Sequence, residues 1–532
     1  MEPERQASQN GPPAPNGRSD PTRFARRTGT VAGATMLSRV LGIVREQVIA
    51  YYFGAGAMAD VFVAAFRIPN LLRDFLAEGA FSAAFVPTFT STLRTEGKQA
   101  AFELLNRVLT VLSLGLAFVC IVGIIITPQI AWVFSGGEGD TPDKVELLVT
   151  MARWMFPFLL LVSLAAALMG ALNAFGHFGM PALAPAGFNV GVIGAAVFVS
   201  PRLETPVLAL AWGVLAGGLL QWATQAVLLH RIGFRMRWQR GWRDARVRTV
   251  LRLMLPAAIG AAAVQVNVLA MTRFAWTLGD GPVAYLNYAF RILFVPLGVF
   301  AVAAATVGLP RLSEQVAAGD EHDARETYAR TLQTVFFLVL PTAIAFWLFG
   351  EMICAALYQR GQFSADDAYH TARALKYYAI GLPAMAAVRV TAPVFYAHKD
   401  TRTPMYCGVA SILVNLVAMA LLREPLGYAG LALAVAGSAV VQAGLLILLG
   451  QARHGPLRVR AVLGHCVVFA ALGWLAVRIG EWMALRPSIQ GLPLGIITVT
   501  LVAIATAGLV YIATTWMFGY RHLGAEFALR RR

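Results

Sequence analysis

The sequence predicts an all-α polytopic membrane protein of about fourteen transmembrane helices. They are expected to form two six-helix lobes in parallel repeat, followed by two C-terminal helices. Three observations carry this: the composition, the apolar runs and an internal offset near 224 residues. Of 532 residues, 58% are hydrophobic and 14% are charged, against about 25% charged in a soluble domain. Mean hydropathy is +0.63. Such a chain does not dissolve as a globule, which excludes a water-soluble enzyme. Continuous apolar runs, in place of alternating ones, exclude a β-barrel.

Residues 1–27 are polar and Pro-rich, with Gly11-Pro12-Pro13-Ala14-Pro15, and read as a disordered cytoplasmic tail without a cleavable signal. Runs bounded by charge, Pro and Gly then mark spans near 28–53, 58–92, 104–127, 146–174, 182–200, 207–230, 253–278, 283–310, 331–357, 372–397, 404–421, 428–450, 461–479 and 492–518. The second and eighth spans contain Pro69, Pro87 and Pro296, where kinks or breaks are expected. The domains follow: an N-lobe over 28–230, a basic cytoplasmic linker over 231–252 and a C-lobe over 253–450. Two further helices occupy 461–518, and a basic cytoplasmic tail occupies 519–532.

Net charge is +16, from 44 Lys and Arg against 28 Asp and Glu. With both termini cytoplasmic, 27 Lys and Arg fall in cytoplasmic segments and six (Lys144, Arg202, Arg360, Arg423, Arg478, Arg486) fall outside. That asymmetry is what the positive-inside rule requires. The excess charge is therefore topology, and no nucleic-acid partner is needed. The densest block, Arg231 to Arg252, holds eight Arg and one acid, Asp244, together with Trp238 and Trp242. It reads as a positive-inside loop or as an interfacial helix gripping anionic lipid headgroups. Cys120, Cys354, Cys407 and Cys466 lie in apolar runs as small core residues, with neither disulfide nor metal spacing.

Ala65-Phe66-Arg67-Ile68 recurs as Ala289-Phe290-Arg291-Ile292, 224 residues later. Gly54 and Gly279, Pro87 and Pro310, Pro157 and Pro383, and Pro181 and Pro404 repeat at offsets of 223 to 226. Six helices per repeat is an even number, so both units share one orientation. This is the parallel-repeat plan of transporters, with a site between lobes near the midplane.

The charges inside the spans point to what that site holds. The first span contains Arg39, Arg45 and Glu46; the second contains Asp60, Arg67, Arg73, Asp74 and Glu78; the eighth contains Arg291. An Arg at a helix centre costs about 2.5–3.5 kcal/mol on insertion scales, so five facing lipid would cost roughly 12–18 kcal/mol. They must line a hydrated cavity or be paired. At helical spacing Arg67, Asn70, Asp74 and Glu78 form one polar stripe. Salt bridges that brace the bundle are the bland account; a surplus of Arg over acid favours a cavity that selects an anion. The guanidinium fork suits phosphate. No P-loop, metal-ligand spacing or catalytic constellation is present, so no enzymatic activity and no cofactor are expected.

These residues sit in familiar strings. Ser38-Arg39-Val40-Leu41-Gly42-Ile43-Val44-Arg45-Glu46, Phe53-Gly54-Ala55-Gly56 with Asp60, Pro69-Asn70-Leu71-Leu72-Arg73, Ala77-Glu78-Gly79-Ala80-Phe81-Ser82 and Ala84-Phe85-Val86-Pro87 resemble the first two helices of the MurJ (MviN) lipid II flippase family. That family belongs to the multidrug/oligosaccharidyl-lipid/polysaccharide exporter superfamily. The resemblance implies a flippase in the bacterial cytoplasmic membrane that moves undecaprenyl-diphosphate-linked disaccharide-pentapeptide outward. The peptidoglycan-synthesis machinery would be its partner. It places the substrate-binding arginines at Arg39, Arg45, Arg73 and Arg291. Supporting cavity or gate charges fall on Asp60, Arg67, Asn70, Glu78 and Glu46, and a lipid-tail groove on the last two helices. Family members often carry acids where this chain has Phe290 and Phe294. Some bind sodium through carboxylates on helices 7, 11 and 12; here those spans offer only the neutral oxygens of Gln265, Asn267 and Asn415. A flippase for another polyprenyl-diphosphate glycan, of O-antigen type, would accept the same arginine chemistry. A structural membrane protein would use the charges only as braces.

Overall fold

The computed structural model describes residues 21–73, 80–135, 142–455, 457, 459–486 and 495–520. Among these residues all regular structure is helical. The first half comprises α1 (Pro21–Phe53), α2 (Ala57–Arg73), α3 (Ala80–Thr95), α4 (Gly97–Ser135), α5 (Pro142–Ala174), α6 (Gly179–Gly194) and α7 (Leu208–Arg231). The second comprises α8 (Ala245–Trp276), α9 (Pro282–Pro296), α10 (Ala303–Ala317), α11 (Glu321–Tyr358), α12 (Ala365–Ala397), α13 (Arg402–Leu426) and α14 (Tyr428–His454). Two more follow, α15 (Val459–Ala484) and α16 (Ile496–Met517).

Every expected span coincides with one of these helices or with a consecutive pair. Eleven helical stretches among the described residues are long and apolar enough to cross a membrane. The helices overrun the apolar runs that announced them. α1 already begins at Pro21, inside the expected tail, and α8 begins at Ala245, inside the expected linker. Hydropathy marks where a helix meets lipid, whereas its end is set by capping; α8 starts where Asp244 accepts a hydrogen bond from the Arg246 amide.

Of the two readings of the basic block, the loop is the one seen between α7 and α8, and the interfacial helix is not. Residues 233–244 between α7 and α8 carry no helix. They form a strap hydrogen-bonded along α4 instead: the Asn106 amide donates to the Arg235 carbonyl at 3.1 Å, and the Arg237 and Gln239 amides donate to Asn106 Oδ1 and Thr110 Oγ1 at 2.9 and 3.1 Å. Gly233 closes α7 at φ +103, a conformation that favours glycine.

Of the three prolines where kinks or breaks are expected, one is followed by an interruption of its helix. Pro69 and Pro87 lie inside α2 and α3, and Pro296 closes α9, after which the chain widens into a π turn over Leu297–Val302 before α10. A proline removes one ladder bond and crowds the preceding turn, and a wider turn relieves that. The internal offset also has a structural counterpart. Gly54 and Gly279 both take positive φ, one in the turn before α2 and the other in the turn before α9. Pro87 and Pro310 lie in α3 and α10, Pro157 and Pro383 in α5 and α12, and Pro181 and Pro404 in α6 and α13.

In the first half α1 packs on α6, α2 on α5, and α7 on both α5 and α6. In the second, α12 packs on α9, α11 and α14, and α13 on α14. α15 and α16 pair with each other and rest on α11. Small residues permit the closest of these approaches. A Cβ on Gly191 would lie 2.4 Å from the Gly217 nitrogen, and one on Gly217 would lie 2.7 Å from the Phe188 carbonyl oxygen. α6 and α7 therefore touch backbone to backbone. Gly191→Val should destabilise the bundle by about 1–3 kcal/mol, read as a lower melting temperature of the purified protein. Gly194→Ala, whose Cβ meets nothing within 4 Å, should leave it unchanged.

The turn before α13 gives a pH-dependent counterpart. Asp400 accepts from the Thr403 hydroxyl at 2.6 Å and from the Thr403 and Arg402 amides at 3.0 and 3.1 Å, and Arg453 donates to it at 2.7 Å. The Thr403 bonds, foremost among these, hold its carboxyl down to about 2. A carboxyl depressed by folding stabilises the fold above its free value of about 3.9 and loses that contribution as pH falls through its folded value. Asp400→Asn should therefore lower the melting temperature at pH 6, and the difference should shrink progressively as pH falls from about 4 through 2.

Candidate functional site

The intramembrane charges gather where α1, α2, α6, α8 and α9 meet. Arg45 and Glu46 are adjacent in sequence, and Arg45 Nη2 approaches Glu46 Oε1 at 2.5 Å. Arg45 Nη1 donates to Asn189 Oδ1 of α6 at 3.0 Å, and the guanidinium lies over the Phe188 ring at 5.3 Å. The Asn189 amide donates in turn to the Ser38 carbonyl at 3.1 Å, so α6 fixes the orientation of its own acceptor. Arg45 is thus held on three sides.

Glu46 is buried and meets a second arginine from the other half, Arg291 Nε of α9, at 3.4 Å. One carboxylate between two guanidinium groups leaves a net positive charge. The Arg291 side chain is 50% exposed, and its two terminal nitrogens have no partner among the described residues. Phe290 and Phe294 flank it, both exposed, with ring centroids 6.0 Å apart. Arg39, two turns before Arg45 on α1, is exposed.

Arg67 of α2 spans the halves by donating to the Thr272 hydroxyl of α8; Thr272 passes its own proton to the Val268 carbonyl at 2.8 Å. Asn70, one turn on, keeps a buried Oδ1 without a hydrogen-bond partner. Arg73 is half-buried at the end of α2. Asp74 and Glu78, the remainder of the expected polar stripe, lie outside the described residues.

Asp60 is used differently from the arginines. The residue preceding α9 is Gly281, at φ +104, which has no side chain to cap the helix. The orphan amides of that first turn are satisfied from the other half: Asp60 Oδ2 accepts from Gly281 N and Oδ1 from Ala284 N, both at 2.7 Å. Asp60 is fully buried. Around it further bonds join the halves at the same end. Lys144 meets Asp280 at 2.7 Å, Gln362 N donates to the Tyr51 carbonyl at 2.8 Å, the Tyr288 hydroxyl to the Gly54 carbonyl at 3.2 Å, and Gln47 Nε2 to the Leu357 carbonyl at 3.1 Å. Gly361, at φ +60, lies so close that a Cβ would stand 2.3 Å from the Tyr51 oxygen. These contacts form a closed rim, and the arginines lie inward of it.

The structure thus unites Arg45, Glu46 and Arg291, sets Arg67 against the other half and assigns Asp60 to the rim. Asn189, Thr272, Gln47 and Lys144 were not singled out in the sequence. A lone polar residue inside an apolar run was the available signal for Asn189 and Thr272; nothing local distinguishes Lys144 from an ordinary loop cation.

A bundle of membrane-length helices whose two halves join at one end, with guanidinium groups inward of that junction, has the plan of a polytopic membrane transporter. The model of the family described as lipid II flippase MurJ matches residues 49–486. The lipid II flippase MurJ of Burkholderia cenocepacia is 35% identical over 506 residues, covering 93% of this chain and 97% of that protein. The probable lipid II flippase MurJ of Rhizobium meliloti is 35% identical over 530 residues, covering 96% of each. Among solved structures, a lipid II flippase MurJ in an inward closed conformation superposes with TM-score 0.76 at 22% identity, covering 93% of this chain and 99% of that one. An inward-facing multidrug resistance MATE family transporter of the MOP superfamily superposes with TM-score 0.64 at 15% identity, covering 81% of this chain and 98% of that one. The chain belongs to the lipid II flippase MurJ family, and it is a multi-pass protein of the bacterial cytoplasmic membrane.

Proposed function

We propose that this protein flips lipid II, the undecaprenyl-diphosphate-linked peptidoglycan precursor, from the inner to the outer leaflet by alternating access. The single observation that carries the reading is the shared carboxylate: Glu46 sits between Arg45 of one half and Arg291 of the other. A diphosphate entering there replaces one shared negative charge with a larger one and draws the two guanidinium groups onto itself. A ligand shifts a conformational equilibrium only through differential affinity, and a clamp made from both halves supplies that difference.

In this reading the rim faces outward and both termini are cytoplasmic, as the distribution of Lys and Arg requires. The two repeats, 28–230 and 253–450, rock about the arginine cluster. The prenyl tail stays in lipid beside α15 and α16, and peptidoglycan-synthesis enzymes supply and consume the substrate on either side. The names of the relatives favour lipid II over an O-antigen unit. Transport is proposed to need no cofactor. Asn415 Nδ2 donates to Asn267 Oδ1 at 2.5 Å while the buried Asn415 Oδ1 lacks a partner, a neutral donor set without the carboxylate a sodium ion would favour.

The test is flipping of labelled lipid II in proteoliposomes, with membrane potential and sodium varied independently, alongside rescue of a flippase-depleted strain. Lipid II translocation that is indifferent to sodium is the expected result. Rescue of O-antigen export but not of peptidoglycan synthesis would overturn the substrate assignment.

A further inference from the structure

The strap between α7 and α8 covers a feature that flipping does not use. Beneath it, a groove of about 400 Å³ runs between the last three turns of α7 and the C-terminal part of α5 at Leu168. Leu168, Trp222, Val227 and Met236 supply apolar walls, and His230 and Arg231 stand among its lining residues. The apolar side chains at its mouth remain open: Val227 is 54% and Met236 50% exposed. The strap is equally unusual. Trp238 and Trp242 are exposed at 70% and 51%, although large aromatics ordinarily find cover. Indole rings exposed beside arginines are the signature of a headgroup-level belt.

The local charge balance is one-sided. Arg231, Arg235, Arg237, Arg240, Arg243 and Arg248 are all exposed. The single acid of the block, Asp244, is consumed internally: Arg107 and Arg246 donate to its Oδ2 at 2.5 and 3.1 Å. Burial alone would raise the Asp244 carboxyl, but the hydrogen bonds from Arg246 and Arg107 outweigh it and hold it well below the usual carboxylate range. It stays ionised and occupied, so it cannot neutralise the exposed arginines.

From this juxtaposition we infer that the groove is a binding site for an anionic phospholipid of the leaflet that contacts this end, the cytoplasmic one in the orientation proposed above. One acyl chain lies along Leu168, Trp222 and Val227, and the phosphate is held by Arg231 within the field of the strap. Any lipid tail gains similar dispersion contacts from such walls, so the chain alone confers no selectivity. Selectivity for an anionic headgroup comes from the arginines, each of which contributes at the membrane surface. The backbone bonds from Asn106 and Thr110 keep the strap in place whether or not a lipid is bound.

The experiment titrates fluorescent phosphatidylglycerol and phosphatidylcholine into the purified full-length protein in detergent. Phosphatidylglycerol should bind at least tenfold tighter. Arg231→Gln should weaken it about fivefold, one surface cation's share, without changing affinity for phosphatidylcholine. Ala226→Trp, which fills the groove, should abolish saturable binding; if that variant does not fold, Arg231→Gln together with Arg235→Gln, both exposed, tests the same site. Arg291→Gln should leave phosphatidylglycerol binding intact, which separates this site from the flipping reaction. Equal affinity for the two lipids, or indifference to Arg231→Gln, would overturn the inference. So would displacement of phosphatidylglycerol by equimolar undecaprenyl phosphate, which would assign the groove to a prenyl chain.

Discussion

Cells that depend on this protein should not survive Asp60→Ala, even with the variant at normal abundance in the membrane. The carboxylate supplies both acceptors for the first turn of α9, and hydrogen bonds to a charged group are each worth about 1.5–3 kcal/mol. Alanine leaves two amides buried without partners at the junction of the halves. A loss of roughly 3–6 kcal/mol from the sealed arrangement alone shifts its balance with the opened one by two to four orders of magnitude, at 1.4 kcal/mol per factor of ten. Asp60→Asn should be intermediate, since its carbonyl replaces one acceptor while its amide opposes the second amide. The measurement is labelling of a cysteine placed at Ala55, fully buried beside Gly54, by an impermeant reagent from the outside. Asp60→Ala should make it reactive in a background where it is otherwise protected. Unchanged labelling together with normal growth would show that the cap does not hold the rim closed.

Arg291→Lys should stop transport where Arg67→Lys only slows it. The two arginines occupy equivalent positions of the internal repeat but different surroundings. Arg67 gives one hydrogen bond to Thr272, which an ammonium group can also make. Arg291 uses only Nε against Glu46, and its terminal nitrogens, without a partner among the described residues, are open to the diphosphate proposed above. Lysine there retains the charge but loses the planar fork that matches a phosphate. Losing one of two parallel charge-assisted bonds, worth about 1.5–3 kcal/mol, corresponds to roughly ten- to hundredfold in rate. Complementation of a flippase-depleted strain at matched membrane abundance decides it: normal growth of Arg291→Lys with failure of Arg67→Lys would show that the clamp across the halves is wrongly assigned.

Much of this architecture was legible because a bilayer imposes its rules on sequence. Apolar runs place the spans, and the repeated Gly54 and Gly279 mark turns that both take positive φ. Arg45, Glu46 and Arg291 could be picked out because charge inside an apolar run is costly. Their association could not, since Glu46 and Arg291 are 245 residues apart and only packing decides which charges meet. Asp60 shows the same gap: as a residue it was conspicuous, but its partners are backbone amides, which leave no trace in sequence. The path of the strap went unread for a further reason. Its composition suited a loop and an interfacial helix alike, and what fixes its course is Asn106 and Thr110 of α4, two ordinary residues in another element.

The rim is built so that most of its bonds have a main-chain group on one side: the amides of Gly281, Ala284 and Gln362, and the carbonyls of Tyr51, Gly54 and Leu357. Mutation can change a side chain but cannot delete a peptide group. Sequence drift therefore threatens this closure at very few addresses, chiefly Asp60, with Tyr288 and Gln47 as lesser ones and glycine required at Gly361. A saturation scan of the rim should return a sparse map, with long tolerant stretches broken by those few intolerant codons. The arginine cluster, whose bonds run from side chain to side chain, should return a dense one.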